Sequence, residues 1–267
     1  MSDRQTRMAR FGRPMTKRGP RRYKRRAGAK KVSKAVKTYV KRAIASNQEN
    51  KLWIQYGANQ AITTTSGGTP TFQNLVPTLS QGSQNGNRIG NQVHVKRGYI
   101  RGYVNLLPYN VANNPLIAPL MVKMWLVRAK TPMSSNLADT NIATNFFDIQ
   151  NSVTGFQGTM LDMVLGENKD EFTVLKSRKF ELGATSSTSV ATALPVNLDN
   201  SKFTIPFYFS YGKYLKKKLH YRDNTANAPA TNTNLFLVFQ AVYANGDNTA
   251  VQAAEYHFYT RVEFEDA

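Results

Sequence analysis

The chain has 267 residues, with 36 Lys and Arg against 16 Asp and Glu, a formal net charge of +20, and no cysteine. Residues 1–42 hold 17 of the bases and one acid, Asp3, a local net of +16, while the remaining 225 residues net only +4. The asymmetry excludes a uniformly basic protein and points to a polyanionic partner, and the missing cysteine excludes disulfides, thiolate zinc sites and thiol catalysis.

Residues 1–29 are rich in Arg, Lys, Gly and Pro, with Phe11 and Tyr23 the only aromatics. So little apolar surface cannot offset the entropy of ordering, so this segment is predicted to be disordered. No apolar stretch follows it, so it does not read as a secretory signal. Over 30–46 the pattern changes. Val32, Val36, Tyr39, Val40, Ala43 and Ile44 recur at helical spacing, with Lys30, Lys34, Lys37 and Lys41 on the opposite face. This predicts a short basic amphipathic helix. The helix either packs its stripe on a neighbouring domain or also touches phosphate. Residues 1–50 are thus expected to form a basic N-terminal arm and 51–267 a single domain.

From residue 51 the period is two. Strands are predicted at 52–60, 93–107, 120–126, 172–182, 203–210, 234–243 and 255–264, with a weaker one at 214–221. The phase slips near Arg97-Gly98, which predicts a bulge. Pro206 predicts an edge strand or a bulge. The nearly continuous apolar run 234–243 predicts a strand buried on both faces. A short helix is expected within 136–147. Loops rich in Gly, Asn, Ser, Thr and Pro are expected at 63–91, 108–118, 130–136, 183–200 and 223–233, long and uncharged enough to pack on neighbouring subunits. About eight strands with long connections and no βαβ spacing predict an all-β fold, a single eight-stranded jelly roll of two antiparallel sheets. No apolar run approaches the roughly 20 residues of a membrane span, and no membrane insertion is expected.

Machinery for catalysis is not visible. His94, His220 and His257 form no metal-ligand spacing, and no metal or cofactor is expected. Glu255 and His257 share a strand face as a conceivable acid–base pair, a pattern that more often marks a solvent or interface face. The glycines of 81–90 lack the Gly-Lys-Ser/Thr ending of a phosphate-binding loop. The chain reads as a non-enzyme without a small-molecule substrate.

The arm carries the functional signal. Arg10, Arg13, Lys17, Arg18, Arg21, Arg22, Lys24, Arg25, Arg26, Lys30 and Lys31 are candidate phosphate contacts, with Lys34, Lys37, Lys41 and Arg42 continuing the run. Such contacts release counterions and give strong, salt-sensitive, sequence-independent binding. The guanidinium fork suits phosphate, and Tyr23 is placed to stack on a base. Arg21, Arg22, Lys24, Arg25, Arg26, Lys30 and Lys31 also read as a nuclear-import signal. A second cluster, Lys213 with Lys216, Lys217 and Lys218, is interleaved with Tyr211, Tyr214 and Tyr221. It is either a solvated strand or a patch meeting the same polyanion as the arm.

The order of features is informative. The Arg-rich arm leads into Lys34-Ala35-Val36-Lys37-Thr38-Tyr39-Val40-Lys41-Arg42, then Asn50-Lys51-Leu52-Trp53 and Asn87-Arg88-Ile89-Gly90-Asn91-Gln92-Val93. Phe172-Thr173-Val174-Leu175-Lys176-Ser177-Arg178-Lys179-Phe180 follows, then Phe203-Thr204-Ile205-Pro206 and the closing Phe258-Tyr259-Thr260-Arg261-Val262-Glu263-Phe264-Glu265-Asp266. Across nearly the whole chain this series resembles capsid proteins of circular single-stranded DNA viruses that encode a replication initiator, the circovirus-like group. The resemblance implies a jelly roll that assembles with its own copies into a small T=1 icosahedral shell. It also implies an inward arm that packages single-stranded DNA, a host nuclear import receptor as partner, and residence in the virion and the host nucleus. Sixty such arms would carry roughly a thousand positive charges. Two alternatives share the arm-plus-sandwich plan: a capsid of a small satellite-type RNA virus, and a cellular nucleic-acid-binding β-domain protein with a basic tail. Charge alone does not separate DNA from RNA.

Overall fold

The computed structural model describes residues 32–47, 50–64, 70–108, 114, 116, 118–130, 141–150, 152–183, 185–186, 196–197, 203–222, 229–247 and 251–266. The chain falls into two units, one ending at Asn47 and one beginning at Gln48. The expected disordered segment 1–29 lies outside the described residues.

The first unit is helix α1 (Lys34–Asn47). Its expected start at residue 30 is corrected to Lys34, because Ser33 caps it. The Ser33 carbonyl accepts the first intrahelical bond from the Lys37 N–H at 3.1 Å, and its hydroxyl accepts the Val36 N–H at 3.2 Å. A side chain that satisfies an orphan N–H at this position fixes a helix start. Val36, Tyr39 and Val40 of the apolar stripe are exposed.

The second unit contains fourteen strands among the described residues: β1 (Lys51–Thr64), β2 (Thr71–Asn74), β3 (Gln92–Leu106), β4 (Leu120–Ala129), β5 (Phe147–Ile149), β6 (Ser152–Thr154), β7 (Gly166–Glu167), β8 (Phe172–Leu182), β9 (Thr185–Ser186), β10 (Val196–Asn197), β11 (Thr204–Ser210), β12 (Lys218–His220), β13 (Phe236–Tyr243) and β14 (Val251–Asp266). Two antiparallel sheets carry the architecture, ordered β1-β14-β3-β11, with β12 also on β3, and β2-β13-β4-β8. Taking the eight long-sheet strands in chain order, the sheets read first-eighth-third-sixth and second-seventh-fourth-fifth. That order is a jelly roll.

The two inner faces interdigitate as a sandwich core. Ile100, Val104, Phe207, Tyr256, Phe258 and Val262 from one sheet meet Leu120, Val122, Met124, Leu237 and Phe239 from the other, all buried. Phe239 stacks on Tyr256 with centroids 4.4 Å apart and meets Phe207 edge-on at 6.1 Å. Each such fully buried side chain contributes about 1.5–3 kcal/mol of transfer free energy.

β13 is buried along its whole length, as its apolar run predicts. Phe236 and Val238 do not face the sandwich. With Trp125 and Val127 they pack under Ile142, Phe146, Phe147 and Phe156 in a second core. The connection between β4 and β8 therefore folds back on its own sheet, as a helical stretch at 141–145 and the small sheet β6-β5-β7. Asp162 anchors it, accepting the Gln157 and Gly158 N–H groups at 2.9 and 2.8 Å. Its Oδ1 has no partner among the described residues, and burial raises its carboxyl above the usual carboxylate range.

Other expectations need correction. The eighth sheet strand is β2, hidden in the expected loop 63–91 because four mixed residues carry no periodic signal. The weaker candidate 214–221 contracts to β12 and a 3-10 turn over Gly212–Tyr214. The expected helix within 136–147 ends at 145, since Phe147 opens β5. The bulge lies one residue earlier than the phase slip, at Lys96, between the pairs Glu263–Arg97 and Phe264–Val95. There β3 exchanges β11 for β12 as its outer neighbour, the Tyr211 N–H bonding the Gly98 carbonyl at 2.8 Å. Pro206 lies on β11, at the sheet edge.

Candidate nucleic-acid interface

Most of the predicted phosphate contacts, Arg10 through Lys31 with Tyr23, lie outside the described residues. Lys34 and Lys37 are exposed on α1, while Lys41 and Arg42 fall within the same helix. The second cluster is exposed, but it divides. Lys217 and Lys213 border a groove with Lys96, Arg97, Tyr99 and Tyr208, about 550 Å³ in volume. Lys216 instead borders a smaller cleft of about 330 Å³ with Arg128 and Lys130. Lys218 starts β12 opposite His94, and its carbonyl accepts the Asn232 amide at 2.9 Å. Tyr211 and Tyr221 are buried and so do not interleave with the lysines at the surface.

The groove runs onto a surface that the sequence reading does not assemble: the outer face of β1-β14-β3-β11. Alternation puts Arg97, Tyr99, Arg101 and Tyr103 of β3 outward, since Gly98, Ile100 and Val104 are buried between them. Register then brings three more strands alongside. Tyr56 of β1 pairs with Tyr259 of β14, Tyr259 with Arg101, and Arg101 with Tyr208 of β11, one row across four strands. The next row holds Ile54, Arg261, Tyr99 and Ser210.

These side chains touch one another. Tyr99 lies 5.9 Å from Tyr208 and 6.3 Å from Tyr259 between centroids, tilted by 32° and 40°. The Arg101 guanidinium lies 5.2 Å from the Tyr259 centroid, and the Lys213 ammonium 4.8 Å from that of Tyr214. A second groove of about 560 Å³ continues past Arg101, Tyr103, Pro206, His257 and Tyr259. Two cations here are paired: Lys96 with Glu265 at 2.7 Å and Arg261 with Glu263 at 2.9 Å. Arg97, Arg101, Lys213 and Lys217 have no carboxylate partner among the described residues.

A glycine-phenylalanine row supports the platform from inside. Gly57, Phe258, Gly102 and Phe207 pair across the same four strands. A Cβ on Gly102 would strike the His257 carbonyl and the Phe207 ring, so only glycine admits these rings beneath the outer tyrosines. The Tyr211 hydroxyl and Thr260 Oγ1 lie 2.7 Å apart, and the threonine donates to the Tyr99 carbonyl at 3.0 Å. Burial holds the Tyr211 phenol far above the usual tyrosine range, so it stays a neutral bonding group.

The Glu255–His257 pair is real as a contact, Oε1 to Nε2 at 2.9 Å. His257 Nδ1 accepts the Asn59 N–H at 3.3 Å, which assigns the neutral ring's proton to Nε2, donated to Glu255. Asn59 takes a left-handed φ of 52° where β1 bulges between Gly57 and Gln60. The pair thus fastens a bulge. Among the described residues no group of three or more His, Asp or Glu is placed to hold a metal, and no helix is long and apolar enough to cross a membrane.

No protein-family model and no curated protein matches the chain. The chain is similar to solved structures of desmodium yellow mottle tymovirus, at 11% identity and a TM-score of 0.32, covering 82% of this chain and 86% of that one. It is also similar to the empty head of turnip yellow mosaic virus, at 5% identity and 0.31, covering 82% and 80%, and to the mavirus penton protein, at 9% and 0.23, covering 82% and 100%. At such scores the likeness is loose, and the jelly-roll assignment stands on the strand order of the chain itself.

Proposed function

We propose that this chain is a viral capsid protein that assembles with its own copies into a small icosahedral shell and packages a single-stranded genome through its basic arm. The observation that carries this is the pairing of a +16 segment in residues 1–42 with a jelly-roll unit whose share of the chain is close to neutral. A nearly neutral domain tiles without self-repulsion, while the arm concentrates charge where a polyanion is to be held. The ordered motifs support the circovirus-like group, and with it DNA as the genome, a T=1 shell and nuclear import through residues 21–31. A basic arm serves DNA and RNA alike, so the nucleic acid recovered decides between this group and a satellite-type RNA virus.

The test is to express the full chain and inspect it by negative-stain electron microscopy beside its ultraviolet absorbance spectrum. Uniform small spheres with a nucleic-acid spectrum are expected, and nuclease digestion then identifies the packaged strand. A monodisperse monomer, unchanged by added single-stranded DNA at low and moderate salt, overturns the capsid reading in favour of a cellular binding protein.

A further inference from the structure

We infer that the outer face of β1-β14-β3-β11 is a second nucleic-acid site, on which bases of a single strand stack against Tyr99, Tyr208, Tyr259 and Tyr56 while Arg97, Arg101, Lys213 and Lys217 meet its phosphates. The inference deepens the packaging reading above and rests on it.

Three observations converge. First, the face carries open rings: Tyr56, Tyr103 and Tyr208 are 78%, 53% and 61% exposed, with Tyr99 and Tyr259 half-buried among them, on strands whose other faces are packed core. A soluble surface seldom spends five tyrosines on one sheet face without a partner. Second, they are set side by side and tilted, so the rings do not consume one another's faces by stacking. Base–aromatic stacking is tolerant of sequence because every base has a π-face. Third, the charge is complementary to phosphate and not to another copy of the face. Four cations lack a carboxylate there among the described residues; Arg101 lines one groove of about 560 Å³ with Tyr103 and Tyr259, and Arg97, Lys213 and Lys217 line another of about 550 Å³ with Tyr99 and Tyr208. Two such faces meeting about a two-fold axis would bring one set of unpaired cations against another. An acidic complement elsewhere would have to come from a chain with only 16 acids.

The division of labour follows from the chemistry. The arm offers dense charge with only three aromatics, Phe11, Tyr23 and Tyr39, and binds chiefly backbone. The platform offers rings and binds bases, holding a strand against the domain where the arm alone would leave it loosely condensed.

The experiment uses the full-length chain with two probes of equal length, an oligothymidylate and an abasic deoxyribose-phosphate oligomer. The wild type is expected to prefer the base-bearing probe by about tenfold. The double variant Tyr99→Leu with Tyr208→Leu is expected to lose that preference yet bind the abasic probe as before. Tyr99→Phe with Tyr208→Phe, which keeps the rings, retains it. An oligothymidylate carrying 5-iodouracil is expected to photo-crosslink to tyrosines of β3, β11 or β14. Adducts confined to residues 1–47, or a leucine variant that keeps the preference, overturn the inference. So does a leucine variant that keeps the preference but no longer forms particles, which makes the face a contact between copies. A wild type that shows the preference but never forms particles leaves the platform standing and removes the capsid reading.

Discussion

Arg88 is a buried cation whose partners are all neutral. Its guanidinium donates to the carbonyls of Leu79, Gly90 and Arg222 and to Asn91 Oδ1, at 2.7–3.3 Å, and lies 5.2 Å from the Tyr221 centroid. One side chain thereby ties the 79–91 loop to the strand end after β12. Only a planar five-donor group reaches four acceptors spread this way. Arg88→Met strands those acceptors and is expected to cost about 3 kcal/mol in urea unfolding; Arg88→Lys recovers only part of the loss. Asp162 behaves differently, because burial works against its charge. A carboxyl raised in the folded state contributes stability that is fully present below its unfolded value and fades as the pH rises through the folded one. Acidification from neutral therefore strengthens the seating of the 157–162 turn. Asp162→Asn is expected to match or exceed wild-type stability and to lose this pH dependence, while Asp162→Ala loses about 1–3 kcal/mol, both read by chemical unfolding across pH.

At the level of elements, the Gly57–Phe258–Gly102–Phe207 row decides whether the first sheet closes. Gly102→Ala drives a methyl group into the His257 carbonyl and is expected to cost about 3 kcal/mol, or to prevent folding, as scored by circular dichroism. Period-two patterning made six of the eight jelly-roll strands legible, because their alternation survives the bulges, and a continuous apolar run made β13 the seventh. β2 was illegible for want of length, and the fold-back between β4 and β8 for want of period: Phe146, Phe147 and Phe156 are core without being strand core. The platform was half legible. The polar face of β14 stood out as Glu255, His257, Tyr259, Arg261 and Glu263, but joining it to Tyr99, Arg101, Tyr208 and Tyr56 needed a register that no single strand encodes. One edge strand was legible by its proline, since Pro206 marked 203–210 as an edge or bulged strand and β11 is an edge of the first sheet. Lys176, Ser177, Arg178 and Lys179 lie on β8, an edge of the second sheet, with 176–179 mostly exposed. Cations on an edge discourage open-ended strand pairing, which directs association to other surfaces.

For the whole molecule, the partition of charge is the main lever. Replacing Arg21, Arg22, Arg25 and Arg26 by Gln in the full chain is expected to weaken single-stranded DNA binding and to reduce the slope of log affinity against log salt by about 3. Circular dichroism should report an unaltered β domain, and an unchanged salt slope removes the arm from the interface. Topology adds a constraint of a different kind. β14 lies between β1 and β3 and is the last of the strands. On the ribosome, β1 therefore emerges with its ladder partner still unmade, and the first sheet stays open until translation of Val251–Asp266 is done. Residues 1–47 precede β1 and are synthesised before any strand of that sheet. Synthesis itself thus acts as a timer: the basic segment is made before β14 can complete the first sheet.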